Sequence, residues 1–278
     1  MNRLRFSPAD LARLTLLVSL TLVLSACAKV PGTGRSQLSL VSDSELNTMA
    51  TSQYQEIIQK GPLSASQKDT ELIQRVGAKI RQAAETYLRE NGLSQEIPSY
   101  RWEFNLIDSS EVNAFCMPGG KVAFYAGILP YCQGENGVAV IMGHEVAHAI
   151  AHHSRERSSQ QLVTELGGSA LSLGLGLGGA SELTSDVAMA AYGLGSQVGI
   201  ILPYSRAHES EADRIGLSLM AMAGYDPRGA IGFWERMAAG SGQGGSDFLS
   251  THPSDQKRIS DLNRYLPEAE ARYQSSAR

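Results

Sequence analysis

The feature that most constrains this chain is His144-Glu145-Val146-Ala147-His148, set in the apolar run GVAVIMGHEVAHAIAHH at residues 137–153. The run predicts a helix from about Gly134 to Arg157, apolar on most of its faces. On a helix the two histidines share one face, about 6 Å apart along the axis. Two imidazole nitrogens so placed can reach one Zn²⁺ at roughly 2.1 Å. Glu145 sits one residue round from His144. It can approach the water-filled position of such an ion without ligating it, which is what a general base requires. The competing reading is a polar stripe on a surface helix, and the apolar context weighs against it.

Two histidines do not complete a zinc shell. His152 continues the same face but lies about 12 Å from His144 along a straight helix, so one ion cannot bind both. A metzincin pattern needs Gly at 151 and His at 154, where this chain has Ala151 and Ser154. The best remaining source is residues 205–213, SRAHESEAD. Glu209 and Asp213 are four apart and share a helix face. Glu209 can supply a third ligand, and Asp213 can hydrogen-bond a ligand histidine. Glu211 points elsewhere and is expected to be solvated. His208 is off the Glu209 face and is expected to be structural or at the surface.

Around these motifs the pattern is α+β and mainly α-helical. Leu46, Met49, Tyr54, Ile57 and Ile58 mark a helix from Ser44. Leu72, Ile73, Val76, Ile80, Ala84 and Leu88 mark another over Asp69 to Asn91, with Asn91-Gly92 as its stop. From Tyr100 the period becomes strand-like. Strands are expected at Tyr100–Ile107, Val112–Phe115 and Lys121–Tyr125, with a Pro118-Gly119-Gly120 turn before the last. A small β-sheet thus stands beside the H-E-x-x-H helix. A further helix starts near Tyr204, Gly240 to Gly245 is a flexible break, and the tail from Ser254 is a polar helix. Residues 166–203 are rich in Gly, Ala, Leu and Ser. A membrane span over Val187–Ser205 is disfavoured by its Gly, Gln and Pro interruptions, and packed or mobile helices are expected instead.

Residues 1–27 read as a leader outside the fold. Arg3, Arg5 and Arg13 precede an apolar run, Leu14 to Ala26, too short for a comfortable span. It ends in Leu24-Ser25-Ala26-Cys27, which resembles the bacterial lipobox. That resemblance makes Cys27 the lipidated first residue of the mature chain. Ala28 in place of Asp, as in enterobacterial lipoproteins, points to the outer membrane. Residues 28–43 read as a tether and residues 44–278 as the folded domain. Cys116 and Cys132 could pair in an oxidising compartment or remain free thiols. With 24 basic and 28 acidic residues intermixed, the chain has no basic patch, and nucleic acid is not an expected partner.

HEVAH, the later Glu209-Ser210-Glu211-Ala212-Asp213, and Asn113-Ala114-Phe115 followed by Pro-Gly-Gly together resemble the gluzincin peptidases related to HtpX, the CAAX prenyl protease and the mitochondrial Oma peptidase. Soluble, lipoprotein-type bacterial members are the nearest in kind, over about residues 100–260. The resemblance implies a zincin-like metallopeptidase domain with one Zn²⁺ per chain. It makes His144, His148 and Glu209 the ligands, Glu145 the base and Asp213 the group behind a ligand. It also places Asn113, Ala114 and Phe115 on a strand edge that an extended peptide can join, and His252 near the cleft. There His252 could displace water from the metal or donate to an oxyanion. The implied activity is endopeptidase cleavage of misfolded or stalled envelope proteins, with the enzyme lipid-anchored on the periplasmic side of the outer membrane. The alternative is an envelope assembly or chaperone-like factor with a latent zinc site.

Overall fold

A computed structural model of the chain describes residues 27–197, 202–240, 247–252 and 256–276. The leader reading of the residues before Cys27 and the break expected after Gly240 lie outside the described residues. The described part is mainly helical with two small sheets, as the sequence pattern implies.

The first sheet is a hairpin of β1 (Cys27–Lys29) and β2 (Ser36–Leu38), paired antiparallel with Ala28 opposite Gln37. The stretch expected to be a free tether therefore has a fold of its own, and it is docked. Val30 is buried in the main core, and the Tyr87 hydroxyl donates to the Pro31 carbonyl at 3.2 Å. Gly32, at φ +73°, carries the turn so close to Tyr87 that a Cβ there would collide with the ring hydroxyl. Arg35 forms ion pairs with Glu156 and Glu211. A tether reading rests on small, polar composition, which does not report contacts made with distant parts of the chain.

Helix α1 (Asp43–Lys60) starts one residue before the expected position, at the N-cap Ser42, whose Oγ accepts from the Glu45 N–H and donates to the Glu45 carboxylate. Helix α2 (Gln67–Glu90) is capped by Ser66 and buries Ile73, Val76, Ile80, Ala84 and Leu88 on one face. The second sheet follows, with β3 (Glu103–Ile107), β4 (Ala114–Met117) and β5 (Lys121–Tyr125) in the order β3-β5-β4. β5 runs parallel to β3 and antiparallel to β4, leaving β4 at an edge. The short α3 (Leu129–Cys132) leads into the central helix α4 (Glu135–Ile150).

Every residue of α4 from Gly137 to His148 is buried. A helix that is apolar all round belongs in a core, and α4 is packed by α2, β4, α7 (Leu202–Met222) and α8 (Gly229–Gly240). The contact with α7 is made backbone to backbone at Gly143 and Gly216. A Cβ on Gly143 would stand 2.8 Å from the Gly216 carbonyl oxygen.

The helix expected to run on to Arg157 instead breaks after Ile150. His152 takes a left-handed conformation, φ 56°, and a new helix, α5 (His153–Leu177), begins. Such a conformation is uncommon for a non-glycine residue. His152 holds it with Nε2 2.9 Å from Glu96 and Nδ1 3.2 Å from Asp43. The Gly-rich segment forms the rest of α5 and α6 (Glu182–Ser196), which pack on each other. Among the described residues no helix is long and apolar enough to cross a membrane. The short α9 (Asp247–Thr251) and the polar α10 (Gln256–Ser276) close the fold. Cys116 and Cys132 are free thiols.

Candidate metal centre

The Gly143–Gly216 crossing brings the two i, i+4 pairs together. His144 and His148 project from α4, and Glu209 and Asp213 from α7. His144 Nε2 lies 3.1 Å from His148 Nε2 and 3.3 Å from Glu209 Oε2. His148 Nε2 lies 3.3 Å from Glu209 Oε1. The fourth member is His252, just beyond α9, whose Nδ1 stands 3.2 Å from His144 Nε2 and 3.0 Å from Glu209 Oε2. The candidate ligand atoms of these four residues all lie within 4.8 Å of one another.

These separations test the fit of a zinc ion. A tetrahedral ion with bonds of about 2.1 Å has ligand–ligand edges of about 3.4 Å. Five of the contacts among the four residues, at 3.0–3.3 Å, come close to that figure, and the whole set of ligand atoms lies within 4.8 Å. Three imidazoles and a carboxylate are also the donor chemistry zinc prefers. The residues present fit the group.

His144 is held from behind. The Asp213 carboxylate only accepts, so His144 donates to it from Nδ1 at 2.9 Å and keeps its Nε2 lone pair for the centre. Asp213 is held in turn by a two-pronged contact from Arg258, with Nε at 2.8 Å and Nη2 at 2.6 Å, and the guanidinium lies over the Trp234 ring. Burial alone would raise the Asp213 pKa, but Arg258 and His144 bring it below its usual value. Glu209 is likewise held far below the carboxylate range, its burial outweighed by His148, His144 and His252. Burial depresses His148 to about 3, which leaves its ring neutral.

Glu145 is buried at the rim of this cluster. Burial raises its pKa, outweighing the opposing influence of His252 and His144. Its Oε1 makes no hydrogen bond and lies 3.4 Å from His252 Nε2. An uncommitted, buried carboxylate oxygen beside a four-residue donor set is suited to exchanging protons with a water there.

Asn113 precedes β4, its Oδ1 accepting from the Ala114 N–H and its carbonyl from the Tyr125 N–H. Ala114 is buried, and Phe115 packs edge-on against Tyr54. These side chains serve the sheet, so a peptide joining this edge would be read by backbone groups. α9 abuts the start of the edge, since the Phe248 N–H donates to the Val112 carbonyl at 3.0 Å.

One expectation about this region fails. Glu211 is not solvated: it is 7% exposed and bound to His153, Arg35 and Thr33. Its sequence position off the Glu209 face does not show that α5 and the hairpin cover that other face. His208 is buried and structural, with Nε2 2.8 Å from Glu156. Sequence reasoning also passes over His153 and Arg258. His153 is completely buried against His148, and its one signal is the His152-His153 doublet. Arg258 lies in a polar tail that offers none.

A zincin-like domain carrying this donor set defines a metallopeptidase. The sequence profile of peptidase family M48 matches residues 74–266, and the chain belongs to that family. It is 40% identical over 185 residues to the mitochondrial metalloendopeptidase OMA1 of Schizosaccharomyces pombe, covering 63% of this chain and 50% of that protein. To the OMA1 metalloendopeptidase of Bos taurus it is 30% identical over 252 residues, 86% of this chain and 46% of that protein. To the beta-barrel assembly-enhancing protease of Escherichia coli K12 it is 30% identical over 169 residues, 58% and 33% respectively. The matched stretch covers half or less of each relative. Zinc is the metal of the family, in keeping with the donor set.

Proposed function

We propose that the chain is a zinc-dependent endopeptidase, with His144, His148 and Glu209 as its permanent ligands and Glu145 as its general base. The observation that carries this is the uncommitted Glu145 Oε1 beside the donor set. When bound, zinc supplies Lewis-acid chemistry, polarising a carbonyl and lowering the pKa of a water to about 7. Glu145 takes a proton from the attacking water and hands it to the leaving amine, and its raised pKa suits both transfers. Asp213 and Arg258 keep the His144 ring oriented throughout. Substrate binds as an extended strand along β4, and the backbone character of that contact gives broad sequence tolerance.

The test is cleavage of unfolded casein by purified protein, compared with Glu145→Gln. The variant should retain one zinc per chain and lose about 10²–10⁴-fold in kcat. Retained zinc with unchanged kcat removes Glu145 as the base.

The substrates in this reading are misfolded or misassembled envelope proteins, and the enzyme is lipidated at Cys27 on the periplasmic side of the outer membrane. The Leu24-Ser25-Ala26-Cys27 sequence and the exposed position of Cys27 support the anchor. The name of the Escherichia coli relative supports the substrate class. Incorporation of labelled palmitate, abolished by Cys27→Ser, checks the anchor. A second reading, an assembly factor with a latent site, draws on His252: four protein ligands close a zinc shell, whereas catalytic sites keep one position open.

A further inference from the structure

The His148 ring is held through a chain of contacts that ends in the N-terminal hairpin. His148 Nδ1 lies 2.8 Å from His153 Nδ1, and His153 Nε2 lies 3.0 Å from Glu211 Oε2. A carboxylate accepts and does not donate, so the proton between His153 and Glu211 belongs to His153 Nε2. In the neutral ring Nδ1 is then bare and must accept, so the His148 proton lies on Nδ1. That leaves the His148 Nε2 lone pair facing His144 Nε2 and Glu209 Oε1. One acceptor, Glu211, thus decides which nitrogen of His148 is offered to the metal.

Glu211 is fixed by residues about 180 positions earlier. Arg35 donates to Glu211 Oε2 from Nε at 3.0 Å and lies within 2.9 Å of it at Nη2. The Thr33 hydroxyl donates to the other oxygen. The same guanidinium grips Glu156 with two prongs, at 2.9 and 2.7 Å. Glu156 also binds His208, whose ring stacks on His153 at 4.2 Å. Without Arg35, the buried carboxylates of Glu156 and Glu211, both held by its Nη2, would lose the cation between them.

We propose that Arg35, seconded by Thr33, is a positioning residue for the metal ligand His148, acting through Glu211 and His153. The hairpin at residues 27–38 is thereby part of the metal site. This rests on the zinc-peptidase reading above. Arg35 touches neither metal nor substrate, and its effect appears in how tightly and in what geometry the ion is held.

The experiment compares the purified full chain with Arg35→Ala, Arg35→Lys, Glu211→Gln and His153→Asn. Three quantities are read: the zinc dissociation constant by chelator competition, the visible absorption bands of the Co²⁺-substituted protein, and kcat and KM on casein. Arg35→Ala and Glu211→Gln should weaken zinc binding about 10–100-fold and shift the cobalt bands. KM should stay within about twofold, since β4 is untouched. Arg35→Lys should recover part of the affinity, because an ammonium keeps the charge but cannot reproduce the two-pronged grip on Glu156 together with the contacts to Glu211. His153→Asn keeps an acceptor near the Nδ1 position and should sit between wild type and Glu211→Gln. If Arg35→Ala does not fold, Arg35→Lys and Glu211→Gln carry the same comparison. Wild-type zinc affinity and unchanged cobalt bands in the folded variants overturn the proposal, whatever happens to their melting temperature. Failure of the wild type itself to bind zinc overturns the peptidase reading, and this inference with it.

Discussion

Gly143 of α4 and Gly216 of α7 touch without side chains between them: a Cβ on Gly216 would lie 2.9 Å from the His144 amide nitrogen. This contact sets the spacing between the helix that carries two histidines and the helix that carries Glu209 and Asp213. Gly216→Ala must push the helices apart beside a ligand. The cost expected of overpacking a tight core is about 1–3 kcal/mol, with a weaker grip on zinc. Thermal melts and a zinc titration of the variant check this, and a wild-type melting temperature with wild-type affinity would refute it.

Arg258 and Asp213 are 5% and 3% exposed. Removing one partner of a buried ion pair leaves an uncompensated charge and typically costs about 3–5 kcal/mol. Arg258→Ala should therefore destabilise the fold by that order and loosen His144 as well. The joint variant Arg258→Ala with Asp213→Asn should lose less stability than the sum of the two single changes. Denaturant unfolding of all four proteins measures the coupling, and strict additivity would show that the contact has no energetic consequence.

His252 is carried by a short helix whose Phe248 ring lies 4.7 Å from its own. As a fourth ligand His252 would close the shell, and a closed shell suits a structural zinc better than turnover. His252→Ala should raise kcat on casein while weakening zinc binding. A fall in kcat at saturating zinc would instead assign His252 a helping role in the reaction.

The His152 clasp gives a pH signature. Burial lowers the His152 pKa, but Asp43 and Glu96 outweigh it, so the folded value stands above the usual one. The contribution to stability is full below the unfolded pKa of about 6.5, and it fades as pH rises through the raised folded value. Wild type should lose more melting temperature than His152→Gln as pH climbs from that point into the alkaline range. Parallel curves for the two proteins would exclude the clasp as the cause.

What the sequence discloses here is whatever repeats at short spacing. His144, His148, Glu209 and Asp213 are legible because an i, i+4 pair declares a shared helix face by its spacing alone. The three strands are legible from alternation, although β3 begins only at Glu103 and β4 runs on to Met117. The break at His152 is hidden because the apolar period runs straight through Ala149, Ile150 and Ala151. His153, Glu211, Arg35 and Arg258 are hidden for a different reason. Their partners are distant in sequence, and no periodicity encodes a contact between a hairpin at residue 35 and a helix at residue 211.

The enclosure of α4 has a consequence for the metal-free protein. From Gly137 to His148 every residue of the helix is buried, among apolar neighbours on most flanks and the polar donor cluster on the remaining one. Its amide protons should exchange with solvent only when the whole domain opens, with or without the ion. Chelation should therefore leave a shaped but idle enzyme that regains its metal without refolding. Two of the ligands, His144 and His148, stand on the stretch of chain with the least room to drift.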